Sequence, residues 1–263
     1  MPTVISERIG RLGNQILQIA ASIGYADKYG IDWAVTPHSV SPKHFPNYVF
    51  PKELPVLKGT GEVSAQVIRE NGHEFNLLPP PERDLIILNG YWQSPRYFSH
   101  CREKVLDAFG FPYKKIENTV SVHVRVGDYV LYPDKHPVIT NEYIYQSLFY
   151  LKNLNKFDKV VVFSDDIPYC KKIFEPFRQE NWNIEYSEGR TEIEDLIYMS
   201  NCTHNIIANS TFSWWGAYLN QNPDKIVISP TAEEWFGPGN KHLNTKDLLP
   251  DGWLTFPQKM KYE

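Results

Sequence analysis

The segment from Val120 to Tyr129 has the most regular alternation of apolar and polar positions in the chain, Val-Ser-Val-His-Val-Arg-Val-Gly-Asp-Tyr. A period of two predicts a β-strand with the valines facing the interior and with His123 and Arg125 on one shared face. The strand runs into Gly-Asp-Tyr, a turn that carries the carboxylate of Asp128. A cation, an imidazole and a carboxylate at the carboxyl end of a strand indicate a phosphate or sugar site in an open α/β sheet. The alternative is an edge strand with one solvated face.

Apolar periodicity in the first 110 residues predicts a strand–helix–strand unit followed by a third strand and a second helix. The predicted strands are 2–6, 31–35 and 84–89, and the predicted helices are about 14–29 and 94–109. Gly30 follows the first helix, where a C-cap is expected. The proline-rich stretch 37–81 predicts no element.

The second half alternates between strands and helices more cleanly. The predicted strands are 119–126, 159–163, 183–186, 204–208 and 225–229, and the predicted helices are about 141–153, 168–177, 191–201 and one beginning near Ser213. Apolar strands that alternate with helices are typical of a parallel, doubly wound sheet. We therefore predict an α/β protein with two Rossmann-like domains, 1–116 and 117–263, whose parallel sheets face a cleft.

Composition excludes several classes of protein. With 263 residues, 42% of them hydrophobic and 22% charged, the chain is a folded globular protein. A net charge of −4 argues against a general nucleic-acid binder. Three widely spaced cysteines without a Cys-x-x-Cys pair argue against a disulfide framework or a zinc cluster. No run of 18 apolar residues occurs, so we expect a cytoplasmic protein without a membrane span, an expectation compatible with peripheral contact with a membrane.

The first candidate for ligand binding is the turn Gly-Arg-Leu-Gly-Asn-Gln at 10–15. Its two glycines let the backbone approach a ligand closely, and the helix that follows offers N–H groups and a positive dipole end. The turn lacks the Gly-x-Gly-x-x-Gly spacing and is followed by no Walker lysine. A simple tight turn is an equal alternative.

The second candidate is Asn-Ser-Thr-Phe-Ser-Trp-Trp-Gly at 209–216, between an apolar strand and a helix. Hydroxyls together with helix N-terminal amides suit a diphosphate. The candidate binding residues are Ser210, Thr211, Phe212 and Ser213. The alternative is a helix cap, a role that Ser213 alone could fill.

A third group consists of carboxylates. Glu192, Glu194 and Asp195 open a helix, where the dipole stabilises acidic side chains and accounts for the first two. A carboxylate also accepts from the two N–H groups on one edge of guanine, and we assign that role to Asp195. The pair Asp165 and Asp166 is not the Asp-x-Asp pattern that metal-dependent sugar transfer commonly uses, so we predict no metal site.

Four segments, in this order, resemble the α-1,2-fucosyltransferases of glycosyltransferase family eleven. The family's opening Gly-Gly-Leu-Gly-Asn-Gln resembles residues 10–15, and its mid-chain Gly-Tyr-Phe-Gln-Ser resembles Gly-Tyr-Trp-Gln-Ser at 90–94. Phe-Ser-Asp-Asp at 163–166 also fits. The most specific part is 195–216, with Met-Ser-Asn-Cys and Ile-Ile-Ala-Asn-Ser-Thr-Phe-Ser-Trp-Trp-Gly. The chain is identified as a member of this family.

The resemblance implies a two-domain GT-B fold and metal-independent, inverting transfer of L-fucose from GDP-fucose to a sugar hydroxyl of an oligosaccharide or glycolipid acceptor. The N-terminal domain would then face the acceptor and the C-terminal domain would bind the GDP-sugar. In related fucosyltransferases the strand motif reads His-x-Arg-Arg-x-Asp. His123, Arg125 and Asp128 match it as the candidate catalytic residues, whereas Val126 replaces the second arginine. The β-phosphate contact carries over to Arg125.

The resemblance also implies a mechanism. Arg125, the amides near Ser210 and Asn14 would hold the diphosphate and stabilise the charge that grows on it, so no cofactor is required. Asp128 is the candidate general base because it matches the motif, and Asp134 is an alternative. Two other functions stay open: a GT-B transferase that uses another GDP-sugar, and a non-catalytic nucleotide-sugar or glycan-binding homologue.

Overall fold

A computed structural model describes residues 1–38, 46–58 and 64–259, which form two compact units. The first contains Met1–Pro112 and Asn244–Pro250, and the second contains Tyr113–Leu243 and the chain from Asp251 onward. The first unit therefore ends four residues before the boundary expected from the sequence. It also includes 244–250, a segment that the sequence analysis assigned to the C-terminal domain. Among the described residues, no helix combines the length and the apolar character needed to cross a bilayer.

The first unit is built on a four-stranded parallel sheet. Its strands are β1 (Thr3–Ser6), β2 (Asp32–Val35), β3 (Ala65–Arg69) and β4 (Leu85–Asn89), and its helices are α1 (Leu12–Tyr29) and α2 (Arg102–Phe109). The order across the sheet is β2-β1-β4-β3, with every pair parallel. The strand order reverses between β1 and β4, which makes this the topological switch point of the first sheet. The loops that follow β1 and β4 meet there.

The second unit is built on a six-stranded parallel sheet. Its strands are β5 (Ile116–Val124), β6 (Lys159–Ser164), β7 (Asn183–Tyr186), β8 (Cys202–Ile206), β9 (Val227–Pro230) and β10 (Leu254–Phe256). Its helices are α3 (Asn141–Asn153), α4 (Ile167–Ile173), α5 (Glu175–Gln179), α6 (Glu192–Asn201) and α7 (Thr211–Leu219). The order is β10-β9-β8-β5-β6-β7, all parallel. These two sheets confirm the predicted α/β class.

The strand order of the second unit contains a topological switch point. From β5 the chain moves outward through β6 to β7, and then continues on the other side of β5 with β8, β9 and β10. The order therefore reverses between β5 and β8. In open α/β sheets, ligands bind outside the carboxyl ends of the strands at such a switch point. The loops concerned are those that begin at Arg125 and at Ile207.

β5 lies in the middle of the sheet between β6 and β8, and from Thr119 to Val124 both of its faces are buried. The valines at 120, 122, 124 and 126 pack in one cluster with apolar side chains of α3 and α4. On the opposite face Ser121 and His123 are 1% and 4% exposed. The alternation of β5 is thus confirmed, whereas the alternative of an edge strand with one solvated face is wrong.

Several predicted elements are divided or missing in the structure. The helix predicted at 94–109 is two 3-10 turns, Pro95–Tyr97 and Ser99–Cys101, followed by α2. Phe98 interrupts it with a φ of −142° and a fully buried ring, so tertiary packing overrides the local preference for helix. The helix predicted at 168–177 is divided into α4 and α5, because Pro176 lies in the first turn of α5 and has no N–H for a continuous helix. The short outer strands β3 and β10 have no predicted counterpart.

Candidate functional site

Arg125 follows β5 and is held by two carboxylates. Its Nη1 forms an ion pair of 2.8 Å with Asp165 Oδ2, and its Nε donates to Asp128 Oδ1 at 3.1 Å. Nη2 donates to the same oxygen of Asp128. The ring centroid of Tyr129 lies 5.7 Å from the guanidinium carbon. Arg125 is 15% exposed, so its orientation is fixed by these contacts before any ligand arrives.

Asp165 connects the end of β6 to the turn after β5. Its Oδ1 accepts the N–H of Val126 at 2.9 Å while its Oδ2 binds Arg125. A Cβ on Gly127 would lie 2.2 Å from Asp165 Oδ2, so only glycine allows this approach. From the sequence, Asp165 was considered as a metal ligand and as part of the family-like segment 163–166, with no predicted contact to Arg125. Because parallel strands end at the same edge of a sheet, the position of Asp165 just after β6 was the available signal for its contact with Arg125.

His123 is the last inward-facing polar residue of β5. Burial, reinforced by the Arg125 charge, lowers its pKa to about 3. The ring centroid of Phe212 lies 5.3 Å away, and Nδ1 has no hydrogen-bond partner among the described residues. A neutral imidazole with an unsatisfied nitrogen can offer or accept a hydrogen bond, but it is a poor proton carrier at neutral pH.

The loop after β8 leads into the N-terminus of α7. Ser210 is the N-cap, and its hydroxyl accepts the N–H of Phe212 at 3.4 Å. Ser213 is fully buried; its hydroxyl accepts the N–H of Ala208 at 3.2 Å. The cap is thus Ser210 and not Ser213, and the Ser213 hydroxyl belongs to the hydrogen bonds of the turn itself. The N-terminus of α7, with its backbone N–H groups and positive dipole end, is the anion-binding feature of this loop.

Tyr129 joins the two loops at the switch point. Its hydroxyl donates to the carbonyl of Asn209 at 2.9 Å, and its ring stacks on His136 with centroids 5.1 Å apart. Burial raises the pKa of Tyr129, so the hydroxyl stays protonated and acts as a donor. Sequence reasoning missed this residue, although it directly follows the Gly-Asp of the motif.

Asp195 lies in the first turn of α6, beyond the carboxyl end of β7. Ser187, which follows β7, donates its hydroxyl to Asp195 Oδ1, and Arg190 Nη1 donates to the same hydroxyl at 3.0 Å. Burial raises the pKa of Asp195 despite this hydrogen bond. The helix start is fixed by a capping box between Thr191 and Glu194. The carboxylate is therefore held at the same edge of the sheet as Arg125.

Asn14 belongs to the first unit, in the first turn of α1. Its Oδ1 accepts from Gln93 Nε2 at 3.3 Å, so the turns after β1 and β4 are joined at that sheet's switch point. Beside them, Asn89 Nδ2 donates to Glu7 Oε2. Gln93 is 7% exposed, and its Oε1 has no partner among the described residues. This group of carboxamides and a carboxylate has the chemistry of a sugar-binding surface.

Within the second unit, the structure brings the candidate residues of the C-terminal half to one edge of one sheet. They lie at the end of β5 or in the segments after β5, β7 and β8, and comprise His123, Arg125, Asp128, Asp195, Ser210, Thr211, Phe212 and Ser213. A guanidinium beside helix N–H groups can hold a diphosphate, and a carboxylate at the next helix can hold a base with paired N–H donors. Two units, each built on an open parallel α/β sheet, define a protein of the GT-B fold class.

Comparison with known proteins is consistent with that class. Residues 71–243 match the sequence model described as "Glycosyl transferase family 11". An α-1,2-colitosyltransferase of Escherichia coli is 38% identical over 181 residues, which cover 63% of this chain and 60% of the relative. The O-antigen biosynthesis glycosyltransferase WbnK of Escherichia coli is 39% identical over 150 residues, covering 54% and 47%. The chain thus spans less than two thirds of the length of either relative.

Solved structures support the fold. The α-1,6-fucosyltransferase NodZ soaked with GDP-fucose superposes with a TM-score of 0.51 at 13% identity, covering 89% of this chain and 97% of that one. A mutant of Arabidopsis thaliana FUT1 in complex with GDP gives a TM-score of 0.53 at 12% identity, covering 90% and 73%. Because the family match extends over more than half of the sequence, the chain belongs to glycosyltransferase family 11.

Proposed function

We propose that this protein transfers L-fucose from GDP-fucose to a sugar hydroxyl of an oligosaccharide or glycolipid, with inversion and formation of an α-1,2 linkage. The observation that carries the proposal is Arg125, fixed at the switch point of the second sheet beside the N-terminus of α7. Family membership and the α-1,2-colitosyltransferase relative support the linkage. We assign the acceptor side to the first unit and the donor side to the second unit.

The residues of the site act on the leaving group. Arg125 and the positive N-terminal end of α7 stabilise the charge that grows on the β-phosphate as its bond to the anomeric carbon breaks. His123 stays neutral and serves as a hydrogen-bond partner of the donor. The acceptor hydroxyl attacks from the opposite face, which inverts the anomeric carbon, and Asp128 takes its proton.

A second donor is favoured by a specific observation. The 38%-identical relative is named an α-1,2-colitosyltransferase, and colitose is L-fucose without its 3-hydroxyl group. GDP-colitose is therefore the alternative donor for this chain. The deciding experiment offers GDP-fucose, GDP-colitose and GDP-mannose with a panel of galactose-terminated acceptors and determines the linkage of the product by NMR. Slow donor hydrolysis without acceptor would distinguish a transferase from a binding protein, which should leave the donor intact.

Calorimetric titration tests the donor site directly. Arg125→Ala should weaken GDP binding by about 1.5–3 kcal/mol, the usual range for a hydrogen bond to a charged group. Arg178→Ala removes an equal charge from an exposed position on α5 and is the matched control, with unchanged affinity expected. Unchanged GDP affinity in a folded Arg125→Ala protein would place the diphosphate elsewhere.

A further inference from the structure

The two carboxylates that hold Arg125 occupy different edges of its guanidinium. Asp165 takes Nη1, whereas Asp128 takes both Nε and Nη2 through one oxygen. The Nε–Nη2 edge is one of the two forks through which arginine binds a phosphate or a carboxylate with parallel hydrogen bonds. Because Nη1 is bound to Asp165, the Nε–Nη2 edge is the fork left for a phosphate, and Asp128 occupies that edge.

The two carboxylates also differ in how firmly they are held. The Asp165 side chain is 27% exposed and its second oxygen is bound to the N–H of Val126. The Asp128 side chain is 47% exposed and lies in the same short turn as Arg125. Ion pairs of exposed carboxylates are weak, of order 1 kcal/mol or less, because water competes for both partners. A diphosphate would therefore displace Asp128 and leave Asp165 in place.

We propose that Asp128 occupies the phosphate-binding edge of Arg125 until the donor diphosphate exchanges with it, and that the exchange releases the Asp128 carboxylate to act as the base. The inference rests on the proposed function for the identity of the diphosphate. Asp165 is the positioning residue that keeps the guanidinium oriented during the exchange.

The chemical step balances. The acceptor oxygen forms a bond to the anomeric carbon, the bond from that carbon to the β-phosphate oxygen breaks, and its electron pair leaves with GDP. The hydroxyl proton passes to the carboxylate of Asp128. Because the carboxylate is bound to Arg125 before the donor arrives, it is a weaker base in the absence of donor. The donor is therefore expected to bind before the acceptor can react, an order that product-inhibition kinetics reports.

The exchange predicts that removal of a carboxylate from the site strengthens the binding of phosphates. Asp128→Asn removes the competing charge from Arg125 while keeping the size of the side chain, so GDP and inorganic pyrophosphate should both bind three- to tenfold more tightly. Turnover should fall at least a hundredfold, with a lower KM for the donor. Asp165→Asn should weaken the binding of GDP and pyrophosphate, because Arg125 loses the ion pair that orients it. Glu142→Gln, which removes the same charge from an exposed position of α3, controls for long-range electrostatics and should change neither value.

An NMR measurement follows the exchange itself. The Arg125 Nε–H resonance should shift when GDP or pyrophosphate is added to the intact protein, and should stay in place with guanosine, which lacks the phosphates. An Asp128→Asn protein that binds GDP with unchanged or weaker affinity would overturn the exchange and leave the proposed function standing. If Asp128→Asn binds pyrophosphate more tightly but the protein does not recognise GDP, the exchange is supported and the proposed function is refuted. A protein that binds neither ligand would refute both.

Discussion

His123 is a residue that burial keeps uncharged. The imidazole is 4% exposed at the end of a central strand, beside Arg125 and the ring of Phe212. Protonation would place a second positive charge next to the guanidinium with little solvent to screen it. The same environment that makes His123 useful as a neutral partner therefore makes the protein sensitive to acid.

The first prediction concerns this sensitivity. Burial lowers the pKa of His123 from the ordinary 6.5 to about 3. Between these two pH values the imidazole is protonated in the unfolded chain and neutral in the folded chain. This contribution to stability is complete above pH 6.5 and declines as the pH falls toward 3, by about 1.4 kcal/mol per pH unit. His123→Gln should remove that part of the slope in urea unfolding between pH 4 and 6. His136 and His204, whose pKa values burial also lowers, are present in both proteins and cancel. An identical slope in the two proteins would contradict the buried neutral imidazole.

Val126 is a buried apolar residue at the position where the family motif has a charged arginine. It is 3% exposed and belongs to the same apolar cluster as Val120, Val122 and Val124. The structure thus confirms that the residue that replaces the motif's second arginine is a packing residue.

We therefore expect Val126→Arg to lower the melting temperature without raising turnover, because an unpaired charge in an apolar layer costs roughly several kcal/mol. Val126→Leu, which keeps the apolar character, is the control and should melt close to the original protein. A stable Val126→Arg protein with clearly faster transfer would show that the position faces the donor.

At the scale of elements, α6 presents a carboxylate to the carboxyl edge of the second sheet. The capping box of Thr191 and Glu194 fixes the first turn, and the hydroxyl of Ser187 orients Asp195 from the end of β7. Sequence alone could assign Glu194 to the N-terminal cap of the helix, since the Thr-x-x-Glu spacing is a capping signature. It could not show that Asp195 is oriented by a residue of the preceding strand.

The nucleotide base should be read by this carboxylate. The two acceptor oxygens of Asp195 complement the paired N–H donors of guanine and repel the carbonyl edge of uracil. Asp195→Asn exchanges one acceptor for a donor, so GDP should lose its advantage over UDP in calorimetry. Glu192→Gln, in the same helical turn, is the control and should retain the preference. Equal binding of GDP and UDP by the original protein would refute the role of Asp195.

At the scale of the whole molecule, the fixed cation and the helix amides are assigned the work that a divalent metal performs in other transferases. Asp165 is bound to Arg125, and Asp166 caps α4 by accepting the N–H of Tyr169 at 2.9 Å. Both carboxylates of the Asp-Asp pair therefore have structural partners in the second unit.

We expect full turnover in excess EDTA, measured as the initial rate of transfer after dialysis against the chelator. The control is a repeat assay with Mg²⁺ and Mn²⁺ added back, which should leave the rate unchanged. Loss of transfer on chelation and recovery with either ion would make Asp165 and Asp166 metal ligands, and would invalidate the mechanism proposed here.

Most of the regular elements and the candidate donor residues of the second unit were predictable because their signals are local. Alternation identified β5 and its valine face, and Gly30 ended α1 in the left-handed conformation, with a φ of 64°. The helices near Phe98 and Pro176 were predicted as continuous and are divided, since a buried ring and a missing N–H act against the surrounding propensity. The edge strands β3 and β10 have too little pattern of their own to be recognised.

The sequence by itself determined which side chains share a face, where most of the elements begin and end, and to which family the chain belongs. These properties follow from the geometry of successive residues, which repeats every two positions in a strand and every 3.6 in a helix. Only the tertiary structure decided that Arg125 meets Asp165, that Tyr129 binds the carbonyl of Asn209, and that Ser213 is enclosed in its own turn. Those contacts join residues from different strands and loops, and they depend on the order in which β5, β6 and β8 pack side by side. That order is set by the free energy of the whole sheet and has no local pattern in the chain.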